Sequence, residues 1–355
     1  MSHNKISHGL SVSVIVPVHR IDKAFNECIN SVIKTLRDID ELIIIADGID
    51  VNSINFLAKW KIKILSTGKI SGPAVARNSG AQIAKGDLLF FVDSDVTIQP
   101  DAILKVASIF NNDKEVKALI GSYDDEPADR NFISQYKNLF HHYIHQTSSE
   151  NASTFWGACG VIRKDIFVAL NGYDESYSRP SIEDIELGYR IINAGYKILL
   201  YKDLQIKHFK RWSFISLIKT DFFNRALPWT KLMFRHNRFV NDLNLKSSSR
   251  ISVFIIFIFL LFLAGSIWQS EFLIFAGILY LLLLIINLPV YRFFHKKRGL
   301  LFALKVIPLH WLYFIYSGLA FGLGTILYKL ERFPLSSAEN PKIFSEYAGK
   351  PVKEP

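Results

Sequence analysis

The chain has 355 residues, of which 50 % are hydrophobic, and its mean hydropathy of +0.19 is high for a wholly soluble protein. The formal net charge is +10, and much of the excess lies next to the apolar runs of the C-terminal third. This distribution favours anionic lipids and ligands over nucleic acid, so we expect no nucleic-acid partner. The two cysteines, Cys28 and Cys159, form no CxxC motif, which excludes a disulfide framework and indicates a reducing compartment.

The hydropathy pattern divides the chain into four regions. Residues 1–250 alternate apolar and polar segments, whereas residues 251–328 are almost continuously apolar. The pattern predicts the following regions: a soluble domain over 1–211, an amphipathic interfacial region over 212–250, a membrane region over 251–328 and a polar tail over 329–355.

The first hundred residues alternate predicted strands with predicted helices. Strands are predicted over residues 12–18, 41–47, 62–65 and 88–92, and helices over 22–37, 53–59 and from Gly72 onward. This order is typical of an α/β fold with a doubly wound, Rossmann-like, mostly parallel sheet. Ligands of such sheets bind at the carboxyl ends of the strands, where Asp47, Asp93 and Asp95 are expected.

Asp93, Ser94 and Asp95 directly follow the fourth predicted strand. On an extended chain, side chains two residues apart point to the same side, so the two carboxylates would lie together and repel each other. A hard divalent cation with oxygen ligands, Mg²⁺ or Mn²⁺, would offset that repulsion. The alternative is a solvated acidic turn, which is the commoner meaning of an isolated Asp-x-Asp.

Four motifs in this order resemble family 2 glycosyltransferases with the GT-A fold, of the membrane-anchored bacterial type. The motifs are Val-Ser-Val-Ile-Val-Pro-Val at 12–18, Ile-Ile-Ala-Asp-Gly at 44–48, Gly-Pro-Ala-Val-Ala-Arg-Asn-Ser-Gly at 72–80 and Phe-Val-Asp-Ser-Asp at 91–95. The resemblance covers roughly residues 10–210 on motif grounds. It implies a nucleotide-sugar donor, linked to UDP or GDP, and an inverting transfer.

The resemblance also implies roles for individual residues. Asp47 would contact the nucleotide base, Arg77 the nucleotide or diphosphate, and Pro17 and Ser94 would also bind the donor. Asp93 and Asp95 would hold the ribose and the divalent metal. Family members usually carry two acids before the glycine at 48, and Ala46 departs from that pattern.

The second half of the soluble domain continues the alternation. Helices are predicted over residues 101–110 and 131–146, and strands over 116–123, 155–161 and 197–201. Trp156 and Gly157 lie in a small-residue segment that a ligand could approach closely, and by resemblance they would line the sugar and acceptor pocket. Three histidines of the second helix, His141, His142 and His145, are interpreted as a polar helix face rather than a metal site.

Glu183 and Asp184 have two interpretations. Ser181 followed three residues later by Asp184 resembles a variant capping box, in which the acid lies in the first helical turn. Inverting transfer, however, needs a carboxylate that deprotonates the acceptor hydroxyl. Family members place a Glu-Asp pair here, so the resemblance implies that Asp184 is the base and that Glu183 is a neighbour that contacts the acceptor.

A basic segment with one histidine follows the last predicted strand. By resemblance, His208 would supply a third contact to the metal or diphosphate, beside Asp93 and Asp95. The flanking cations Lys207, Lys210 and Arg211 would help to attract the diphosphate.

The C-terminal third is predicted to bind a membrane. Residues 212–238 mix aromatic and cationic side chains, as interfacial helices do, and Pro228 would kink or restart that helix. Uncharged segments of membrane-spanning length cover 251–270, 272–291 and 306–328. The cations before the first segment and after the second predict a multi-pass protein of the inner (plasma) membrane with its catalytic domain in the cytoplasm. Whether 306–328 crosses fully or re-enters is left open.

The leading hypothesis is an inverting glycosyltransferase that uses a nucleotide sugar, Mg²⁺ or Mn²⁺, and a lipid or lipid-linked saccharide acceptor in cell-envelope glycan or glycolipid synthesis. One alternative is a processive polysaccharide synthase, although the Gln-x-x-Arg-Trp motif of that branch is only approximated by Arg225 to Trp229. An alternative of another class is a non-catalytic membrane module that binds nucleotide sugar.

Overall fold

The computed structural model describes residues 9–57, 60, 62–239 and 241–330. They divide into two compact units, described separately here. The first comprises residues up to 122 and 150–209, and the second comprises 123–149 and 210–330.

Nine strands occur within the described residues. They are β1 (Val12–Val18), β2 (Glu41–Ala46), β3 (Ile62–Ser66), β4 (Leu88–Val92), β5 (Val96–Ile98), β6 (Ala118–Tyr123), β7 (Asn151–Ala152), β8 (Cys159–Arg163) and β9 (Ile198–His208).

Five α-helices occur among the described residues of the first unit. They are α1 (Lys23–Ile33), α2 (Pro73–Ile83), α3 (Ala102–Asn112), α5 (Lys164–Ala169) and α6 (Glu183–Asn193). Helix α4 (Phe132–Thr147), which follows α3 in the chain, belongs to the second unit.

A single sheet forms the centre of the first unit, with the strand order β3-β2-β1-β4-β8-β6-β9-β5 and β7 beside β9. Strands β1 to β4 run parallel, whereas β8 runs antiparallel to β4 and β6, and β9 runs antiparallel to β5 and β7. Strands β1, β2 and β4 are buried almost throughout, which is why they read as continuous apolar runs, whereas the edge strand β3 is half-buried. The predicted doubly wound, Rossmann-like arrangement is confirmed.

Helix α2 lies unusually close to this parallel half. A β-carbon on Gly80 would come within 2.5 Å of the Ile15 side chain, so only glycine permits this approach at that position. The close packing brings the start of α2 to the carboxyl ends of β1 and β2, where ligands of such sheets bind.

Several predicted boundaries in the first unit are corrected. Residues 155–157 are irregular, because the predicted strand begins only at Cys159. The strand predicted over 197–201 continues to His208, with alternating buried and half-buried side chains. That alternation has the period of a half-buried strand, which a search for continuous apolar runs misses. The helix predicted over 53–59 is a 3₁₀ segment, Val51–Leu57, and residues 58 and 59 lie outside the described part.

The remaining helices belong to the second unit, together with α4. They are α7 (Phe214–Lys219), α8 (Leu227–Arg235), α9 (Ser247–Gly265), α10 (Phe272–Ile286), α11 (Leu288–Arg298) and α12 (Leu300–Leu330). A π-helical segment, Thr220–Ala226, joins α7 to α8, and Pro228 is the second residue of α8.

Two helices of the second unit, α9 and α12, are long and apolar enough to cross a membrane. The pair α10 and α11 passes the same test only jointly and bends by 59° at the break between its members. The segment predicted over 272–291 thus lies in two helices, α10 and the start of α11, because Pro289 cannot continue the hydrogen-bond ladder of α10. Segment 306–328, for which re-entry was left open, lies in one continuous helix of 31 residues. The predicted polar tail beyond residue 330 lies outside the described residues.

Candidate active site

The predicted donor-binding residues Pro17 and Asp47 lie at the carboxyl ends of β1 and β2, where Pro17 pairs with Ile45 in register. Asp47 is buried, and its carboxylate accepts hydrogen bonds from the Thr67 hydroxyl at 2.9 Å and from the Ser71 and Gly72 amides at 2.7 and 3.0 Å. The carboxylate thus fixes the loop that enters α2. Its contact with a nucleotide base stays a prediction.

Arg77 bridges two carboxylates that are distant in sequence. One guanidinium nitrogen donates to Asp93 Oδ1 at 2.7 Å and another donates to Glu183 Oε1 at 2.9 Å. The guanidinium carbon also lies 5.3 Å from the centre of the Tyr173 ring, within cation–π range. Burial by itself lowers the pKa of Arg77, but the surrounding carboxylates, Asp93 foremost, outweigh it and raise that pKa. Arg77 is therefore a fixed cation, and its rigid planar fork suits a bridge of this kind.

The residues Asp93 to Asp95 form a turn between β4 and β5 rather than an extended segment. Their carboxylates consequently have different partners. Asp93 is paired with Arg77, whereas Asp95 Oδ2 lies 3.4 Å from His208 Nε2. The expectation that the two acids point to the same side because the chain is extended is wrong, since the Val96 amide donates to the Asp93 carbonyl and closes the turn.

The sheet register brings His208 to Asp95. His208 is the last residue of β9 and pairs with Val96, the first residue of β5, and the Phe209 amide donates to the Asp95 carbonyl at 2.8 Å. The His208 ring is buried, while 37 % of the Asp95 side chain is exposed. A buried imidazole and a partly exposed carboxylate thus lie side by side at the edge of the sheet.

The geometry fits a divalent metal only in part. Among the described residues, no group of three or more His, Cys, Asp or Glu side chains could hold a metal ion. Asp95 and His208 offer one oxygen and one nitrogen side by side, a set that Mn²⁺ accepts more readily than Mg²⁺ does, and a bound diphosphate could supply further oxygens. Asp93, predicted as a third ligand, is instead engaged by Arg77.

Glu183 and Asp184 open helix α6 but differ in orientation. Glu183 is buried, and its second carboxylate oxygen accepts from the Ser181 amide at 2.9 Å, so its predicted contact with the acceptor has no support in this geometry. Asp184 is half-buried, and its Oδ2 accepts from the Gly157 amide at 3.0 Å. The variant capping box does not form, because the residue that caps α6 is Ile182, with no side-chain hydrogen bond.

Gly157 lies close to both the Arg77 guanidinium and the Asp184 carboxylate. A β-carbon there would come within 2.9 Å of the Arg77 guanidinium, while its amide holds Asp184. The glycine therefore lets the backbone approach Arg77 and fixes the carboxylate proposed as base. Trp156, the preceding residue, is half-buried. Its role in lining a sugar or acceptor pocket stays a prediction.

The motif-based interpretation missed a support for this site. The Asn78 amide donates to the Tyr173 carbonyl and to Glu175, both at 2.9 Å, and its oxygen accepts from the Tyr173 amide. These hydrogen bonds between Asn78 and the loop need a glycine at position 172. Gly172 has a positive φ of 64°, and a β-carbon there would lie 2.5 Å from the Asn78 side-chain oxygen. The Asn171-Gly172 dipeptide is the sequence signal that could have predicted such a turn.

The two cysteines are structural. The Cys28 thiol is buried and donates to the Asp93 carbonyl at 3.5 Å, which helps to hold the acidic turn. Burial raises the pKa of both thiols, so neither is poised as a nucleophile.

Comparison with known proteins gives this arrangement a family context. Residues 13–170 match the family model described as "Glycosyl transferase family 2". The chain is 24 % identical to the O-antigen chain rhamnosyltransferase WbaN of Salmonella anatum over 62 % of this chain and 74 % of that protein. It is 20 % identical to the glucosyl-dolichyl phosphate glucuronosyltransferase of Haloferax volcanii over 56 % of this chain and 69 % of that protein.

A solved structure extends the comparison to nearly the whole chain. The mannosyltransferase PcManGT from Pyrobaculum calidifontis, in complex with GDP-Man and Mn²⁺, superposes with a TM-score of 0.54 at 13 % identity, over 92 % of this chain and 89 % of that one. The chain spans 16 %, 42 % and 40 % of the lengths of three further curated glycosyltransferases that it matches. The chain has the GT-A fold, and its residues 13–170 form a family 2 glycosyltransferase domain.

Proposed function

We propose that the chain is an inverting glycosyltransferase that moves a sugar from a nucleotide-sugar donor to a membrane-associated lipid or lipid-linked saccharide acceptor. The observation that carries the proposal is the position of Asp184. Its carboxylate lies at the N-terminus of α6, next to the Arg77 cluster, is half-buried and is oriented by the Gly157 amide. The positive end of the helix dipole stabilises the charge that a general base must carry.

The chemistry assigned to these residues is a single displacement. Asp184 takes the proton of an acceptor hydroxyl while that oxygen attacks the anomeric carbon of the donor sugar. The bond from that carbon to the diphosphate oxygen breaks, and the nucleoside diphosphate leaves with the electron pair. Attack opposite the leaving group inverts the anomeric configuration.

The departing diphosphate needs positive charge. Asp95 and His208 would hold Mn²⁺ or Mg²⁺, which would neutralise the developing charge on the leaving group as a Lewis acid. Arg77 is held by two carboxylates, so we assign it the task of fixing Asp93 and Glu183 in place. Asp93, Ser94, Asp47 and Pro17 remain the proposed donor contacts, in line with their position at the carboxyl ends of the strands.

The acceptor and the location are inferred from the helical unit. Helices α9 and α12 suit membrane crossing, and α11 ends in a cluster of cations at residues 295–298. Under the positive-inside rule, these cations and the catalytic domain lie on the cytoplasmic side of the inner (plasma) membrane. A relative whose name includes a dolichyl phosphate supports a polyprenyl phosphate-linked acceptor. We place the product in cell-envelope glycan or glycolipid synthesis.

Asp184→Asn tests the proposal. Transfer by the purified chain should fall at least ~10²-fold, the usual contribution of a general base, while Mn²⁺-dependent stabilisation by a nucleotide sugar stays unchanged. Asp174→Asn is the matched control. This half-exposed acid lies ten residues earlier, and within the described residues its side chain accepts a hydrogen bond only from the Ser176 amide. Full transfer activity in Asp184→Asn would contradict the assignment of the base. Absence of binding for every UDP- and GDP-linked sugar would contradict the proposed donor class.

A further inference from the structure

The helical unit contains a cavity of about 580 Å³, a volume typical of sites for small molecules. Helix α4, the π-helical segment, α8, α9 and α12 all contribute to its walls. Most of the lining is aliphatic or aromatic, as represented by Phe140, Trp229, Met233, Phe254, Phe257 and Phe321. An occupant of this cavity must therefore be largely apolar.

One part of the lining is charged. Lys137 donates to both carboxylate oxygens of Asp221, at 2.7 and 2.8 Å, and the Tyr316 hydroxyl donates to the same carboxylate at 2.8 Å. Lys137 and Asp221 compensate each other's charge, but Arg225 and Arg250 also line the cavity. With histidine neutral, the lining carries a net charge of +2, so its polar part favours an anion.

The backbone around this polar part is unusual. Asp221 and Arg225 both belong to the π-helical segment and both line the cavity. π-Helical turns are rare and are found frequently at functional sites. Burial by itself raises the pKa of Asp221, but Lys137 and Arg225 outweigh it and hold that pKa below its usual value.

The apolar part comes from the two helices suited to membrane crossing. Helix α9 contributes Val253 and Phe257, and α12 contributes Phe314 and Gly318. Gly318 allows close approach, because a β-carbon there would overlap Phe257. Apolar walls of the cavity thus belong to the two helices that are suited to membrane crossing.

We propose that this cavity binds an isoprenoid lipid phosphate, with the phosphate beside Arg225 and Arg250 and the first part of the chain among the aromatic side chains. The anionic head and the hydrocarbon tail follow from the lining alone. The choice of an isoprenoid tail, and the role of this lipid as acceptor, rest on the proposed function.

Binding of farnesyl phosphate to the full chain in phosphatidylcholine nanodiscs, without donor, tests the site. Farnesol and inorganic phosphate should bind at least tenfold more weakly than farnesyl phosphate. Arg225→Gln should weaken binding of farnesyl phosphate at least tenfold. Arg235→Gln is its matched control, since this exposed arginine of α8 removes the same charge outside the cavity lining.

A second pair of variants tests the apolar part. Ala226→Phe places a ring in the cavity and should abolish binding. Gly322→Phe adds the same bulk on α12 at an exposed position where a β-carbon meets nothing within 4 Å, so it should bind normally.

Three results would overturn the lipid site: equal affinities of Arg225→Gln and Arg235→Gln, retained binding in Ala226→Phe, or equal displacement of farnesyl phosphate by phosphatidylglycerol. Because donor is absent, these outcomes are separate from the test of Asp184. Lipid binding without sugar transfer would leave this site standing and refute the proposed function, whereas transfer without binding here would do the reverse.

Discussion

Each unit of this protein buries a cation against acidic groups, but the two clusters have opposite net charge. At the sheet edge, Arg77 faces Asp93 and Glu183 directly, with Asp184 close by. In the helical unit, Lys137 faces a single carboxylate, and two arginines lie in the same cavity lining. The first cluster has more negative charge than its own cation can offset, whereas the second has a surplus of positive charge.

The comparison shows how buried charge can prepare a site for a ligand. A buried ion pair contributes little net stability, because desolvation offsets the Coulomb attraction. A ligand of the opposite sign would add to the charge compensation of each cluster. This agrees with the divalent metal proposed for the sheet site and with the anionic head group proposed for the helical cavity.

The largest expected effect follows removal of the cation at the sheet edge. Arg77→Met should destabilise the first unit by about 3–5 kcal/mol, because Glu183 stays buried without its partner. Hydrogen exchange of the α2 and α6 amides in the full chain measures the loss. Arg77→Lys should recover only part of it, since one ammonium cannot replace a fork that bridges two carboxylates. Unchanged exchange in Arg77→Met would show that the bridge does not order these helices.

A smaller effect is expected for the cation of the helical unit. Lys137→Met should lower the opening free energy of the α4 amides by about 3 kcal/mol, because Asp221 loses its main partner. Hydrogen exchange of these amides measures the change. Lys137→Met combined with Asp221→Leu should recover at least half of that cost, since both charges are then removed. The corresponding Arg77→Met with Glu183→Leu should recover less, because Asp93 remains. Equal recovery in the two double variants would remove the distinction between the clusters.

The smallest effect concerns the metal. His208→Asn should weaken Mn²⁺-dependent binding of a nucleotide sugar about tenfold or more, as changes around metal sites commonly do. Thermal stabilisation of the purified chain across a Mn²⁺ titration measures this change. In excess chelator, wild type and His208→Asn should bind donor equally. If His208→Asn also binds the donor more weakly than wild type in excess chelator, then His208 contacts the donor directly rather than through the metal.

Local patterns predicted the parallel half of the sheet, because strands buried on both faces need continuous apolar residues whatever their neighbours are. They also predicted α9 and the apolar part of α12, the two helices that are long and apolar enough to cross a membrane. The antiparallel half was harder to predict, since β9 alternates polar and apolar residues and pairs with β5, a strand of three residues. The bend in the second apolar segment had a local signal in Pro289, but the segment is apolar on both sides of this proline, so hydropathy alone does not reveal the bend.

Within the candidate site, motif resemblance selected Asp93, Asp95, Asp184 and His208, and the structure brings them to one unit. Resemblance could not reveal that Arg77 contacts Glu183, because 106 residues separate them and no local rule relates them. The same holds for Asn78 and the loop at Tyr173, 95 residues apart. Such contacts depend on how the whole sheet is assembled.

The sequence by itself determined that two acids follow a buried strand, that an acid opens a later helix, and that apolar helices fill much of the C-terminal third. These are local properties, because side-chain periodicity and charge depend only on near neighbours. The tertiary structure alone decided that Asp93 pairs with Arg77, that Asp95 meets His208, and that Lys137 and Asp221 line one cavity. Those pairings join distant parts of the chain, so they exist only once strand register and helix packing are set.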